Sequence, residues 1–231
     1  ADEPMVDFAQ LLGDQCVIKR VDKDQKVIGH AKPEDMQREL MSKAAAQKRL
    51  GACAEHVKGM SRQEKLRWAI DLKDSANEFY AASKFEEAAK LYNDCLVALE
   101  LDGTPEEVEE TKRKLQLPVC TNLAACMIEM GQYAYCVEIC DIALSVDPGC
   151  CKALYRRGLS RYRMGDHGRA RPDFEDALAR IQARRAQATA ASSAGDADAE
   201  AKSLADLERR LTVYLGHIRR FRAQEQAACR R

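Results

Sequence analysis

Apolar positions in this chain of 231 residues follow a helical period over most of its length. Ser61-x-x-Glu64 is a capping box and predicts the start of a long helix. From there to about residue 182 the pattern reads helix, turn, helix, and then repeats. The segment from Leu117 aligns with the segment from Cys151, an offset of 34 residues. Met130-Gly131-Gln132-Tyr133 falls on Met164-Gly165-Asp166-His167, and Asp141-Ile142-Ala143-Leu144 falls on Glu175-Asp176-Ala177-Leu178. A third copy starts near Ala69, with Ser83-Lys84-Phe85-Glu86-Glu87-Ala88 at its turn and second-helix start. Small residues recur where helices must cross. Ala76, Ala124 and Gly158 form one such set; Ala88, Cys136 and Ala170 another; Cys95, Ala143 and Ala177 a third. Tyr92 and Phe174 fill a large position, where Cys140 is a departure, and Pro148 closes the second copy.

The first two copies start 48 residues apart, 14 more than the period. Asp102-Gly103 is a turn signal. Thr104-Pro105-Glu106-Glu107 supplies a cap, a first-turn proline and acids at the positive helix end. The first helix of copy two is therefore expected to begin near Pro105 and run about 25 residues, with Pro118 as a kink. The repeats span about 69–102, 117–150 and 151–184, within a domain at 61–182. Residues 187–196 read as a linker, within a stretch at 183–202 that is linker or helix extension. Leu204, Leu207, Leu211, Tyr214, Ile218 and Phe221 then make one apolar stripe on a final helix at 203–231. That segment carries seven Arg against three acids. A basic amphipathic helix also suits calmodulin or an anionic membrane, but such a stripe is most often core, and a cap on the last repeat is expected.

Residues 1–60 form a separate segment of mixed or irregular structure. Phe8, Leu11 and Leu12 predict a short helix ending at Gly13. Cys16-Val17-Ile18 and Val27-Ile28 read as two short strands or as extended segments about a charged turn. Pro33-Glu34-Asp35 opens a helix expected to reach about Leu50, with Gly51 or Gly59 as its breaker. No active-site motif stands out there.

Lys plus Arg and Asp plus Glu both number 37, so the formal net charge is zero and a nucleic-acid surface is not expected. No apolar run approaches the roughly 18 residues of a membrane helix. No signal-peptide apolar stretch opens the chain, and its first residue is Ala rather than Met, as in a trimmed chain. The balance of 32% charged residues with 12 Gly and 6 Pro favours a helix-rich soluble protein over a β-sandwich or a disordered chain. Ten cysteines include no C-x-x-C pair, so no zinc site or disulfide framework is expected. Cys136 and Cys140 share a helix face and are the nearest thing to a metal pair, but Cys standing in for a small buried residue is the simpler reading. His30, His56, His167 and His217 are scattered without triad or ligand spacing. No catalytic residue, metal or cofactor is expected.

The 34-residue period and its small and large positions resemble the tetratricopeptide repeat. That resemblance implies a three-repeat helical solenoid with a concave groove lined by the first helix of each repeat. Lys73 and Asn77 share one face of the first such helix, and Lys152 and Arg156 share one face of the third. Asn122 lies on the helix between them. Three cations and two amides converge on one strip, suited to carboxylate and peptide backbone. These five positions resemble the carboxylate clamp of co-chaperone tetratricopeptide domains. The stretches Cys120-Thr121-Asn122-Leu123-Ala124-Ala125-Cys126-Met127 and Lys152-Ala153-Leu154-Tyr155-Arg156-Arg157-Gly158 look like the version in large FK506-binding-type immunophilins.

The resemblance implies an all-α, cytoplasmic, non-enzymatic co-chaperone or adaptor. Such clamps bind the C-terminal Glu-Glu-Val-Asp peptide of cytosolic heat-shock chaperones of the seventy- and ninety-kilodalton classes. Lys73, Asn77, Asn122 and Lys152 would cradle the terminal Asp, and Arg156 an upstream acid or the peptide backbone. Arg157 is expected instead to bridge to a neighbouring helix. A second protein partner could use residues 1–60 or the last helix. The alternatives are a scaffold or targeting receptor for other acidic C-termini, or a fragment of a larger immunophilin-like prolyl isomerase, although 1–60 is short for a catalytic domain.

Overall fold

The computed structural model describes residues 16–21, 27–99, 103–191 and 197–229. The expected helix at Phe8–Gly13, the charged turn between the two strands, the residue Asp102 and positions 192–196 lie outside them. The chain divides into two compact units, Ala1–Gly59 and Met60–Arg231.

In the first unit, strands β1 (Ile18–Val21) and β2 (Val27–Ala31) pair antiparallel, Ile18 opposite Ala31 and Arg20 opposite Gly29, with an irregularity between Arg20 and Val21. Helix α1 (Pro33–Lys58) follows, opened by Pro33, Glu34 and Asp35 as expected. It does not stop at Leu50. Gly51 is exposed inside it with open space around its missing Cβ, so the glycine costs only propensity, and the helix ends at Gly59.

The second unit is a stack of helices. The Ser61 capping box forms and opens α2 (Arg62–Ala81). There follow α3 (Phe85–Ala98), α4 (Pro105–Thr111), α5 (Leu117–Glu129), α6 (Tyr133–Val146), α7 (Cys151–Arg163), α8 (His167–Ala191) and α9 (Ala197–Cys229). Between α2 and α3, α5 and α6, and α7 and α8, the chain turns through one left-handed residue: Ser83, Gly131 and Gly165. Each turn closes with the same six-to-one bond, Lys84 N–H to Phe79 O, Gln132 N–H to Met127 O and Asp166 N–H to Arg161 O.

The Thr104 capping box opens α4. A π-helical turn at Lys112–Gln116 carries it straight into α5. Pro118 has no N–H, and its ring displaces the carbonyl four residues back, so the looser turn upstream absorbs the proline instead of breaking the helix.

The repeat positions are interior. Ala76, Ala124, Ala88, Cys136, Ala170, Cys95, Ala143, Ala177, Tyr92, Cys140 and Phe174 are all buried. At Gly158 a Cβ would stand 2.7 Å from Phe174 Cε1 and 3.1 Å from Asp173 Cβ, so α7 crosses α8 there only because the residue is glycine. The end of the repeat region takes the helix-extension alternative as far as Ala191: helix α8 runs across the first half of the stretch read as a linker, and α9 begins at Ala197, ahead of the 203 expected for the final helix. Residues 183–191 contain neither Gly nor Pro, so nothing there stops a helix already started. Leu211 and Ile218 of α9 bury fully against Phe174 and Ile181 of α8, with Leu204, Leu207 and Tyr214 half-buried beside them, so this helix covers the last repeat. Phe221 stays exposed at 42%, although its ring meets that of His167.

Candidate functional site

The first helices of the three repeats carry the five expected site residues. Helix α2 brings Lys73 and Asn77, α5 brings Asn122, and α7 brings Lys152 and Arg156. The amide of Asn122 donates from Nδ2 to Asn77 Oδ1 across 3.1 Å. The hydroxyl of buried Tyr92, on α3, donates to the same oxygen at 2.6 Å. With two donors already on its carbonyl, Asn77 has its NH2 left to offer a ligand. An amide that presents only donors suits an anion. Burial pushes the Tyr92 phenol up to about 12, so it remains a donor.

Arg156 is half-buried and donates from Nη1 to the Thr121 carbonyl at 2.6 Å, one residue before Asn122. This bond ties α7 to α5 and leaves the rest of the guanidinium without a carboxylate among the described residues. Lys73 Nζ lies 3.2 Å from the exposed carboxylate of Asp74, a pair water screens. Lys152 is exposed and forms no ion pair among the described residues. The neighbouring Arg157 behaves otherwise. It grips buried Asp173 through Nε and Nη2 and reaches Asp141 at 2.6 Å, while Arg161 holds the other oxygen of Asp173 at 2.7 Å. Arg157 thus ties α7 to α6 and α8, as expected of it, whereas Arg156 one position earlier pairs with no carboxylate among the described residues.

Lys152 and Arg156 also face a cleft of about 630 Å³ between α7, the end of α8 and α9. Tyr155 of α7, Arg184 of α8 and Arg210 of α9 line it as well. Spacing alone does not mark these three as site residues, nor Tyr92 as the group that orients Asn77: they sit off the repeat alignment or look like core. Cys136 and Cys140 lie with sulfurs 3.9 Å apart in the buried interior. The described residues contain no group of three His, Cys, Asp or Glu placed to hold a metal. No described helix is long and apolar enough to cross a membrane.

No family model matches the chain. Among solved structures it is similar to the C-terminal tetratricopeptide-repeat domain of an FK506-binding protein from Plasmodium falciparum, with TM-score 0.52, 19% identity, and 71% of this chain and 99% of that one covered. It is also similar to the Hsp90 co-chaperone Cns1 from Saccharomyces cerevisiae, with TM-score 0.50, 25% identity, and 72% and 44% covered. The fold is a tetratricopeptide-repeat solenoid. Among curated proteins, this repeat-bearing chain is 33% identical over 120 residues to the FK506-binding protein-like protein of Mus musculus, covering 52% of this chain and 33% of that protein. It is 29% identical over 120 residues to the peptidyl-prolyl cis-trans isomerase FKBP4 of Bos taurus, covering 52% and 26%. The match to PASTICCINO1 of Arabidopsis thaliana is 31% over 121 residues, covering 50% and 18%. The matches thus span no more than a third of the length of these curated relatives, and about half of this chain.

Proposed function

We propose that the protein is a non-enzymatic co-chaperone adaptor of the cytoplasm whose groove binds the acidic C-terminal peptide of heat-shock chaperones of the ninety- and seventy-kilodalton classes. Lys73, Asn77, Asn122, Lys152 and Arg156 form the carboxylate clamp. The observation that carries the reading is the doubly accepting Asn77 oxygen, which couples Asn122 to Asn77 and leaves Asn77 its NH2 as donor, beside three cations not committed to buried carboxylates. The likeness to an Hsp90 co-chaperone supports the partner class.

Chemically, the clamp reads two charges at one point. The terminal residue of a Glu-Glu-Val-Asp tail carries a main-chain and a side-chain carboxylate, and Lys73, Asn77, Asn122 and Lys152 supply donors to both. Arg156, anchored on the Thr121 carbonyl, turns its free edge to the peptide backbone or to an upstream acid. Each charge-assisted bond contributes on the order of 1–3 kcal/mol, and ordering the peptide offsets part of it, so a micromolar dissociation constant is expected.

Calorimetric titration with a Met-Glu-Glu-Val-Asp peptide tests this directly. Wild type is expected to bind, and Lys73→Ala and Arg156→Ala to weaken binding at least tenfold. Amidation of the peptide's chain end should do the same. Equal binding by the variants or by the amidated peptide would sink the clamp.

A further inference from the structure

The strip of donors does not end at Arg156. Past Lys152 and Arg156 it opens into the cleft against α9, where Arg184 enters from α8 and Arg210 from α9. On the same two helices α7 and α8, Arg161, Arg171, Arg180 and Arg185 are all paired with carboxylates. Lys152, Arg156 and Arg184 are not paired among the described residues, and all three line this one cleft.

Two carboxylates line the cleft, and both are already engaged. Asp147 accepts the Gly149 N–H at 2.8 Å. Asp206 is held by Arg209 and, at 2.7 Å, by Arg210. Arg210 also lies against the Tyr155 hydroxyl, a contact that raises the guanidinium above its usual range. So Arg210 is fixed in place, while Arg184 is exposed and free to close on a ligand. The amino end of α7 adds to the positive potential. Its cap residue, Cys150, supplies no side-chain bond to the first turn, and Cys150 and Cys151 line the cleft. Leu204 and Leu207 offer apolar wall for an aliphatic stem.

We propose that this cleft is a second anion subsite, which takes an acidic side chain upstream of the chain end in the same bound peptide, with Arg184 as the specificity-determining residue. The inference rests on the clamp reading, since Lys152 and Arg156 join the two sites. An extended peptide turns alternate side chains to one side, so a Glu, an Asp or a phosphorylated Ser a few residues before the terminal four meets Arg184 while the chain end sits in the clamp. The chain would then rank acidic tails by their upstream charge, which a five-donor clamp alone does not do.

The test uses the whole chain and two peptides ending in Glu-Glu-Val-Asp, one with Glu at the upstream positions and one with Gln there. Wild type is expected to bind the Glu peptide tighter, by roughly three- to tenfold. Arg184→Gln is expected to abolish that difference and leave the Gln peptide's affinity unchanged. Arg180→Gln, which breaks a surface pair with Asp176 on the same helix, is expected to keep the difference. If wild type binds both peptides equally, or if Arg184→Gln preserves the preference, the subsite is overturned and the clamp stands. If wild type binds neither peptide, the clamp reading falls and the subsite falls with it.

Discussion

Asn122 donates to Asn77 across 3.1 Å, a bond between helices 45 residues apart in sequence. Tyr92 bonds the same Asn77 oxygen from a fully buried position. The groove and the core therefore share one acceptor. Asn77→Ala is expected to leave the Tyr92 hydroxyl buried without its partner and to cost about 1–3 kcal/mol of stability, along with peptide binding. Tyr92→Phe removes the donor instead, and should cost only about 0.5–1.5 kcal/mol while weakening binding modestly through a looser Asn77. Urea unfolding beside peptide titration separates the two. If Asn77→Ala unfolds at the wild-type midpoint, the shared acceptor has no structural weight.

Gly158 sits where α7 presses on α8. A Cβ there meets the Phe174 ring at 2.7 Å and Asp173 Cβ at 3.1 Å, and neither can retreat: Phe174 is packed on Tyr214, and Asp173 is pinned by Arg157 and Arg161. Gly158→Ala would normally stabilise a helix by about 1 kcal/mol. Here it is expected to destabilise by about 1–3 kcal/mol, because overpacking outweighs propensity. A shift of the denaturation midpoint to higher urea would refute the crossing argument.

The repeat register was legible because small residues recur at a fixed offset, and packing at a crossing admits little else. The extended helix before Leu117 was legible for the same kind of reason: Thr104 and Pro105 cap it by local chemistry alone. What escaped was set by contacts rather than spacing. Gly51 did not end α1, since propensity yields to a continuous helical context. The Ala-rich stretch after Ala183 stays helical through Ala191. At the site, Lys73, Asn77, Asn122, Lys152 and Arg156 follow the repeat and could be picked from sequence. Arg184 and Arg210 do not: on sequence they are two among many arginines, and what sets Arg184 apart is that no carboxylate among the described residues pairs with it.

Acid should open the first repeat at its start. The Glu64 carboxylate accepts the Ser61 hydroxyl at 2.7 Å and the Ser61 N–H at 2.8 Å, which holds its pKa below the usual carboxylate range. Because the folded value lies below the unfolded one, the cap contributes fully above the unfolded value of about 4.3 and is lost as pH falls through the folded value. The Arg209 and Arg210 pairs on Asp206 follow the same sign. Stability measured from neutral pH downward is expected to decline below about pH 4, and Ser61→Ala to flatten part of that decline. A Ser61→Ala variant with the full wild-type acid dependence would remove the cap from the account.

The thiols divide by burial, and their chemistry should divide with them. Burial pushes Cys120 up to about 12 and Cys126 up to about 11, so neither offers much thiolate near neutral pH. Cys140 is pushed up as well, by the hydrogen bond with Cys136 and then by burial. Cys16, Cys53 and Cys150 are only half-buried. Brief alkylation of the native protein, read by peptide mass, is expected to label Cys16, Cys53 and Cys150 ahead of the buried thiols. Cys95, Cys120, Cys126, Cys136 and Cys140 should react only with the rate of opening. Saturating acidic peptide should slow labelling at Cys150, which lines the cleft beside Lys152, and leave Cys53 untouched. Rapid native labelling of Cys120 would contradict the packing of α5. Equal protection of Cys53 and Cys150 by peptide would point to a general tightening of the chain instead of occupancy of the groove.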